Sequence, residues 1–483
     1  MVFLDSGRVG DSVPPPVKPS KDMHPMKKKF YIKTYGCQMN VYDTEKMTDV
    51  LEAEGYQAST EVDGADLVIL NTCHIREKAA EKVYSDIGRI RKVVNTEDKS
   101  KKRGLIAVAG CVAQAEGREI MRRAPAVNLV FGPQTYHRLP ALLSEVASQR
   151  AEGLTPRVLD TDFPADTKFD HLPRAKAGRS ASAFLSVQEG CDKFCTYCVV
   201  PYTRGAEFSR PVAAIMSEAE EMVAGGVREM TLLGQNVNAY HGQLADGEIL
   251  SLAGLIRLLD KIPNLERIRY TTSHPRDMTQ ELIDVHGEMS ACMPYLHLPI
   301  QSGSDKILAA MNRQHGRESY IETIDALREA RPDIAISGDF IVGFPGETDE
   351  DFEQTLALVE RIKYAQAYSF KFSPRPGTPA VDMDNQVDEN VKVERLARLQ
   401  DLLNKHQREF NDTSVGKTMP VLFEREGKQK GQLIGRTPYM QSVHVTLSTV
   451  DESSEQEYNS LMGDIRDVEI VTSGPRSLEG RLL

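Results

Sequence analysis

Short apolar runs alternate with longer amphipathic segments over the first third of the chain. Strand-like runs occur at 30–35, 67–70, 105–109 and 129–131, and the segments between them carry apolar residues at helical spacing. Strands that alternate with helices are typical of a parallel sheet covered by helices. Residues 28–143 are therefore predicted to form an N-terminal parallel-sheet β-α domain of the α/β class.

A second β-α series follows between residues 177 and 410. Its predicted strands lie near 184–189, 229–233, 267–272, 295–299, 335–342 and 367–372. Six units are fewer than the eight of a complete barrel, so the sequence predicts a central partial (β/α)6 barrel. Its chemistry is expected at the carboxyl ends of the strands. Residues 144–176 show little periodicity and are predicted to be a linker.

The two ends of the chain depart from this α/β pattern. Short β-rich runs punctuated by glycines between residues 411 and 476 predict a small C-terminal β-barrel. Residues 1–27 include three prolines at 14–16 and lack the apolar core of a secretory signal, so they are predicted to be a disordered extension. No apolar run reaches the roughly 18 residues of a membrane span. The chain is therefore expected to be cytoplasmic and to make no membrane contact.

The net charge limits how the chain would bind nucleic acid. The formal charge is −11 at pH 7, which argues against bulk electrostatic attraction to RNA or DNA. Local basic runs occur at 27–29 and 99–103. Each run is equally compatible with a basic patch and with an ordinary solvated surface.

Three of the seven cysteines occupy equivalent places in the first β-α series. Cys37, Cys73 and Cys111 each follow one of its first three predicted strands. The carboxyl ends of parallel strands lie along one edge of a sheet, where ligands bind, so the three thiols can converge there. The alternative is three buried structural cysteines. Disulfides are not expected in a cytosolic chain, and Cys292 is predicted to be a packed core thiol.

Cys191, Cys195 and Cys198 form a second group, a CxxxCxxC loop after the first strand of the predicted barrel. Three thiolates this close can hold one corner of a cubane cluster. A 4Fe-4S cluster usually has four cysteine ligands, so three would leave one iron open to an external ligand. The alternative is a structural zinc site, which would need a fourth ligand such as His171 or His241.

A CxxxCxxC loop after the first strand of a β/α barrel resembles the radical S-adenosylmethionine superfamily. The resemblance implies a 4Fe-4S cluster that cleaves S-adenosylmethionine to a 5′-deoxyadenosyl radical. The residues expected to bind this cofactor are Tyr197, Gln235, Asn236, Gly343, Pro345 and Gly346. Tyr197 is expected near the adenine, and the glycine turn allows the backbone to approach the nucleotide. The residues Gly234, Gln235 and Asn236 stand where the superfamily has Gly-Gly-Glu after the second strand.

Two cysteine groups followed by a small barrel resemble the methylthiotransferases, and this resemblance covers residues 28 to about 476. It implies two 4Fe-4S clusters, with an auxiliary, sulfur-carrying cluster on Cys37, Cys73 and Cys111. It further implies that the C-terminal barrel is a TRAM domain that binds RNA, with Arg436 as a candidate phosphate contact or an ordinary surface arginine. The expected electron donor is a flavodoxin or ferredoxin, and the chain is expected to be a monomer.

The residues around the cysteines separate the branches of this family. The segments 34–40, 71–78 and 110–114 resemble the branch that inserts a methylthio group at C2 of isopentenyladenosine beside the tRNA anticodon. An anticodon loop is single-stranded, so its bases can be splayed out and recognised. The alternatives are the branch that modifies a ribosomal-protein aspartate and the branch that modifies threonylcarbamoyladenosine in tRNA. A zinc-stabilised RNA-binding protein fits less well, because two groups of three cysteines do not match four-coordinate zinc.

Overall fold

The computed structural model describes residues 27–73, 77–94, 104–164, 168–173, 180–447 and 460–483. The predicted N-terminal extension lies outside these residues apart from Lys27, and the whole of the second basic run, 99–103, lies outside them as well. No helix in the described ranges is both long enough and apolar enough to cross a membrane.

The N-terminal domain is built on a six-stranded parallel sheet in which the second strand lies at one edge and the others follow in chain order. Its strands are Lys29–Thr34, Gln57–Ala58, Leu67–Thr72, Leu105–Gly110, Leu129–Phe131 and Val158–Asp160. Its α-helices are Gln38–Ala53, Glu77–Val94, Cys111–Glu116, Arg118–Arg123 and Leu139–Ala151, with a 3-10 turn at Tyr136–Arg138.

The central strands of this sheet are buried on both faces. In the third strand, Leu67 and Ile69 pack into one apolar cluster, while Val68 and Leu70 pack into another on the opposite side. A nearly continuous apolar run is what a strand covered by helices on both faces requires. The predicted parallel-sheet domain is confirmed.

Part of the segment predicted as a linker belongs to this domain. Leu139–Ala151 is helical into this range, and Val158–Asp160 pairs with Leu129–Phe131 as the sixth strand of the sheet. The linker prediction is therefore wrong for residues 144–151 and 158–160. A strand of three residues is too short to show the alternation on which the prediction depends.

The central domain is a six-stranded parallel β/α barrel that remains open. Its strands are Ser182–Ser186, Glu229–Leu233, Arg267–Tyr270, Tyr295–His297, Ala335–Val342 and Gln366–Lys371. They form two three-stranded sheets, which are joined by a parallel bridge between Ile268 and Cys292. The predicted partial barrel is confirmed, and Cys292 is a buried core thiol as expected, 3.6 Å from Nδ1 of His286.

Helices cover the outside of the barrel, and short elements complete the loops. The α-helices are Val200–Arg204, Val212–Ala224, Leu252–Leu259, Gln280–Glu288, Asp305–Ala310, Arg317–Ala330, Asp349–Ile362 and Glu389–Asp412. The 3-10 turns are Lys168–His171, Val237–Ala239, Pro275–Asp277 and Pro379–Val381. Two short ribbons pair Gln188–Glu189 with Phe208–Ser209 and His241–Gln243 with Ile249–Ser251.

The C-terminal domain is a closed five-stranded barrel, as predicted. Its strands are Thr418–Glu426, Gln432–Arg436, Ser442–Thr446, Ile465–Ser473 and Leu478–Leu482. The last strand lies beyond residue 476, the predicted end of the domain, and pairs with both of its neighbours in the closed barrel.

The small barrel is attached at the amino-terminal end of the large one. The guanidinium of Arg267, the first residue of its strand, donates to the carbonyls of Pro420 and Arg436 at 2.7 and 3.1 Å. Arg269 donates to the carbonyls of Thr437 and Pro438 at 3.1 and 2.7 Å. The cysteine loop follows the other end of the strands, so the two features lie at opposite ends of the barrel.

Candidate active site

The first three cysteines, hereafter the N-terminal triad, lie together at the carboxyl edge of the N-terminal sheet. Cys37 caps the helix Gln38–Ala53, Cys73 directly follows the third strand, and Cys111 begins the helix after the fourth. A hydrogen bond with Cys73 lowers the pKa of Cys37 to about 6, although burial opposes this shift. Burial raises the pKa of Cys111, and the neighbouring Cys37 adds to the effect. The predicted convergence of the three thiols is therefore present.

Two glycines make this convergence sterically possible. Gly36 has φ +109°, and a Cβ atom there would lie 2.1 Å from Cβ of Cys73. Gly110 has φ +87°, and its Cβ would lie 2.4 Å from the carbonyl oxygen of Thr72. Only glycine adopts such backbone angles without strain, so each Gly-Cys pair is a requirement of the site.

A pair of buried amides fixes the backbone around the N-terminal triad. Asn71 donates to the carbonyl of Asn40 at 2.8 Å, and Asn40 donates to the carbonyl of Thr72 at 2.9 Å. The thiol of Cys37 donates to the side-chain oxygen of Asn40 at 3.2 Å. These bonds fix the position of the helix Gln38–Ala53 relative to the strand Leu67–Thr72, and this holds Cys37 beside Cys73.

Cys191, Cys195 and Cys198, hereafter the barrel triad, lie in the loop that follows the first barrel strand. The backbone of Cys198 donates to the carbonyl of Cys195 at 2.9 Å, which folds the loop on itself. Burial raises the pKa of Cys191 to about 11 and that of Cys198 to about 12, and both also interact with Cys195. The three thiols thus share one buried site.

Two residues that the sequence prediction missed shape this loop. Arg313 is buried, donates to the Cys195 sulfur at 3.6 Å and donates to the carbonyl of Pro299 at 2.6 Å. The side chain of Asn312 donates to the carbonyls of Lys193 and Phe194 at 3.2 and 3.1 Å. Both come from a turn far along the chain and belong to no recognisable motif, so no signal in the sequence pointed to them.

Gln235 and Asn236, which the resemblance assigned to cofactor binding, lie next to the cysteine loop. Gln235 accepts a hydrogen bond from the backbone of Gly190 at 2.6 Å, and Asn236 donates to Asp277 at 2.8 Å. Asp277 also pairs with Lys193 of the loop at 2.8 Å. The Gln235 nitrogen and the Asn236 oxygen are buried without a hydrogen-bond partner in the described chain, and they are available to a polar ligand.

Tyr197 and the glycine turn at 343–346 lie against each other at the barrel mouth. The Tyr197 ring packs edge-on against Phe344, with 6.5 Å between ring centroids. Gly343 has φ +69°, and a Cβ there would lie 2.3 Å from Cγ of Lys392. The fold itself therefore requires this glycine. Pro345 is buried, whereas a Cβ at Gly346, with φ +80°, would meet nothing within 4 Å.

The donor sets fit iron–sulfur clusters better than single metal ions. No three His, Cys, Asp or Glu side chains among the described residues are arranged to hold one ion. A zinc ion gathers its ligands around one centre, whereas a cubane distributes them over different irons. The two histidines considered as zinc ligands are engaged elsewhere: His171 stacks on His137, and His241 lies 2.9 Å from the carbonyl of Ala239.

Three family models match successive parts of the chain. Residues 29–132 match the family described as "Uncharacterized protein family UPF0004", residues 185–359 match the Radical SAM superfamily, and residues 412–483 match the TRAM domain.

Among solved structures, the chain resembles the radical S-adenosylmethionine methyltransferase TsrM from Kitasatospora setae with cobalamin and a [4Fe-4S] cluster bound. The TM-score is 0.53 at 16% identity, over 74% of this chain and 77% of that chain. At this identity the likeness concerns the fold alone.

The similarity to curated relatives is far higher. A protein from Sphingopyxis alaskensis is 59% identical over 93% of this chain and 97% of its own length. One from Agrobacterium fabrum is 57% identical over 93% of this chain and 96% of its own length. Both are named tRNA-2-methylthio-N(6)-dimethylallyladenosine synthase. With this identity over nearly its whole length, the chain belongs to the tRNA-2-methylthio-N(6)-dimethylallyladenosine synthase family of radical S-adenosylmethionine methylthiotransferases.

Proposed function

We propose that this protein inserts a methylthio group at C2 of isopentenyladenosine beside the anticodon of tRNA. The observation that carries the proposal is the presence of two separate convergent cysteine triads, one at the carboxyl edge of the N-terminal sheet and one after the first barrel strand. Two separate triads allow the storage of sulfur and the generation of the radical to be assigned to different clusters.

The barrel triad is proposed to hold the cluster that binds S-adenosylmethionine, and the N-terminal triad to hold the auxiliary, sulfur-carrying cluster. When bound, the clusters supply reductive cleavage of S-adenosylmethionine and the sulfur to be transferred. Arg313 provides positive charge beside Cys195, where thiolates and a reduced cluster accumulate negative charge. The unpaired amide atoms of Gln235 and Asn236 can bind the amino-acid end of the cofactor, with Tyr197 and the turn at 343–346 near its adenosine.

The proposed partners follow from the same reaction. The target base in a single-stranded loop has to leave its stack, which costs only a few kcal/mol. The TRAM barrel is proposed to contact the RNA backbone. Arg436 is 40% exposed in its side chain and pairs with Glu424 at 3.1 Å, so its guanidinium is only partly available to a phosphate. A flavodoxin or ferredoxin as electron donor, a monomeric state and a cytoplasmic location complete the proposal.

Anaerobic turnover on two anticodon stem-loops, with and without the isopentenyl group, tests the proposal. A buried CH₂ is worth about 0.8 kcal/mol, so partial burial of the five-carbon tail would be worth about 2–3 kcal/mol. The modified stem-loop should therefore react about 30- to 150-fold faster in kcat/KM. The 2-methylthio nucleoside formed on each RNA is measured by mass spectrometry of the digested RNA. Equal rates on both RNAs would contradict the proposal, as would turnover confined to a ribosomal protein or to threonylcarbamoyladenosine.

A further inference from the structure

Four charged side chains are buried together where the N-terminal domain meets the barrel. Arg204 donates to Asp43 and to Glu189, each at 2.6 Å. Lys168 donates to Glu189 at 2.7 Å and lies 3.9 Å from Asp43. None of the four residues is more than 4% exposed. The two positive and two negative charges balance, so the cluster as a whole is neutral.

This cluster connects the two cysteine triads. Asp43 lies on the helix that Cys37 caps, Glu189 lies two residues before Cys191, and Arg204 ends the helix that follows Cys198. The helix that follows the barrel triad therefore places the Arg204 guanidinium against the N-terminal domain. The side chain of Gln134 in that domain donates to the Arg204 carbonyl at 2.8 Å.

Arg204 also reaches the N-terminal triad directly. Its positive charge lowers the pKa of both Cys111 and Cys37, against the effect of burial. Asp43 acts on the same two thiols with the opposite sign. Lys168, although part of the same cluster, affects neither thiol as strongly as Arg204 does.

Stability alone does not explain such a cluster. Replacing a buried ion pair by packed apolar residues is often neutral or stabilising, so buried charges are weak evidence for a structural purpose. The five N–H donors of an arginine, in a fixed fork, suit a residue that must hold two carboxylates from two different domains at set positions.

We propose that Arg204 is a positioning residue that fixes the N-terminal triad against the barrel and raises the reduction potential of the cluster held there. This inference rests on the proposed function, because it assumes that the triad binds the auxiliary cluster. Reduction adds a negative charge to a cluster. A buried guanidinium close to the ligand sulfurs stabilises the reduced form, whereas a buried carboxylate close to them destabilises it.

The test is a redox titration followed by electron paramagnetic resonance, on full-length protein that carries both clusters. The titration is repeated in Cys195→Ala, which should lose the barrel cluster, and the signal that remains reports the auxiliary cluster. Arg204→Gln should shift the auxiliary potential to more negative values, and Asp43→Asn should shift it to more positive values. Arg204→Lys should restore part of the first shift, because the charge returns without the fork.

Lys168→Gln is the matched control. It removes one buried positive charge from the same cluster, and it should shift the auxiliary potential much less than Arg204→Gln does. If the four charged side chains were purely structural, Arg204→Gln and Asp43→Asn would shift the auxiliary potential in the same direction, or Arg204→Gln and Lys168→Gln would shift it equally. Either result overturns the inference. If Arg204→Gln does not retain its iron, the shifts of the auxiliary reduction potential in Arg204→Lys and Asp43→Asn still have to be opposite in sign.

Iron analysis of the unaltered protein separates this inference from the proposed function. A single cluster's worth of iron overturns both. Two clusters with an auxiliary potential that is insensitive to Arg204→Gln overturn only the role of Arg204.

Discussion

The attachment of the TRAM barrel should depend on Arg269, and replacing it with methionine is the most informative stability test. Its side chain is buried, donates to two TRAM carbonyls and lies 3.1 Å from Glu229. Methionine fills much of the aliphatic volume but removes the donor to the Pro438 carbonyl, whereas the Thr437 carbonyl keeps its bond from the backbone of Met440 at 3.1 Å. It also leaves Glu229 with Arg267, at 3.5 Å, as its remaining guanidinium partner.

The magnitude follows from these losses. A hydrogen bond to a charged group contributes about 1.5–3 kcal/mol, and breaking a buried ion pair costs about 3–5 kcal/mol. The two effects overlap, so Arg269→Met is expected to lower the free energy of unfolding by about 3–5 kcal/mol. Arg481→Met is the control: this arginine is 71% exposed in its side chain and pairs with Glu469 on the same domain, so a change below about 1 kcal/mol is expected.

Urea denaturation followed by circular dichroism measures the difference, since the chain has no tryptophan to report by fluorescence. Limited proteolysis between the helix Glu389–Asp412 and the strand Thr418–Glu426 should also become faster in Arg269→Met. If both variants changed stability equally, the guanidinium–carbonyl contacts would not hold the two barrels together. The same reasoning implies that deleting residues 412–483 would expose two buried arginines, so surface substitutions are the better test of RNA binding.

Three further predictions concern the site and the core. Alanine at any cysteine of the N-terminal triad should halve the iron per chain and abolish methylthiolation but leave some 5′-deoxyadenosine formation. Cys195→Ala should abolish 5′-deoxyadenosine formation. Chromatography of the nucleosides and iron analysis distinguish the two results. Gly36→Ala should displace Cys73 and release the auxiliary cluster's iron, so full iron content in this variant would contradict the steric argument. Burial lowers the pKa of His286 to about 4, so the unfolded state, titrating near 6.5, takes up a proton first as the pH falls. The free energy of unfolding should decrease by about 3 kcal/mol from about pH 6.5 to 4, and less in His286→Gln, which urea titrations at several pH values would measure.

The domain order could be predicted from the sequence because two β-α series, separated by a segment of little periodicity, are followed by short β-rich runs with frequent glycines. The buried strand Leu67–Thr72 and the position of Cys73 directly after it could be read from the local pattern alone. Val158–Asp160 could not be predicted, since three residues carry no period. The final strand Leu478–Leu482 lies beyond the predicted end of the domain, and its central residues Glu479, Gly480 and Arg481 form no apolar run.

The site was predictable only as far as its cysteines. Arg204 and Arg313 contact cysteines that are 93 and 118 residues away, and neither belongs to a local motif. Their importance depends on which elements pack together, and the hydrophobic pattern does not specify this. Gly343, which is expected to let the backbone approach a nucleotide, also has a structural reason to be glycine, because a Cβ there would collide with the side chain of Lys392.

The placement of the two barrels has a consequence for substrate recognition. The longest barrel strand, Ala335–Val342, has eight residues, so its ends are separated by about 23 Å at roughly 3.3 Å per residue. The TRAM barrel is attached at the amino-terminal end through Arg267 and Arg269, whereas the barrel triad follows a strand at the carboxyl end. Under the proposed function, the contacts that choose the base must therefore come from the barrel mouth and the N-terminal domain. The TRAM contacts then contribute affinity for the RNA backbone, and exchanging exposed TRAM residues should change the KM for RNA while leaving the preference for the isopentenyl group intact.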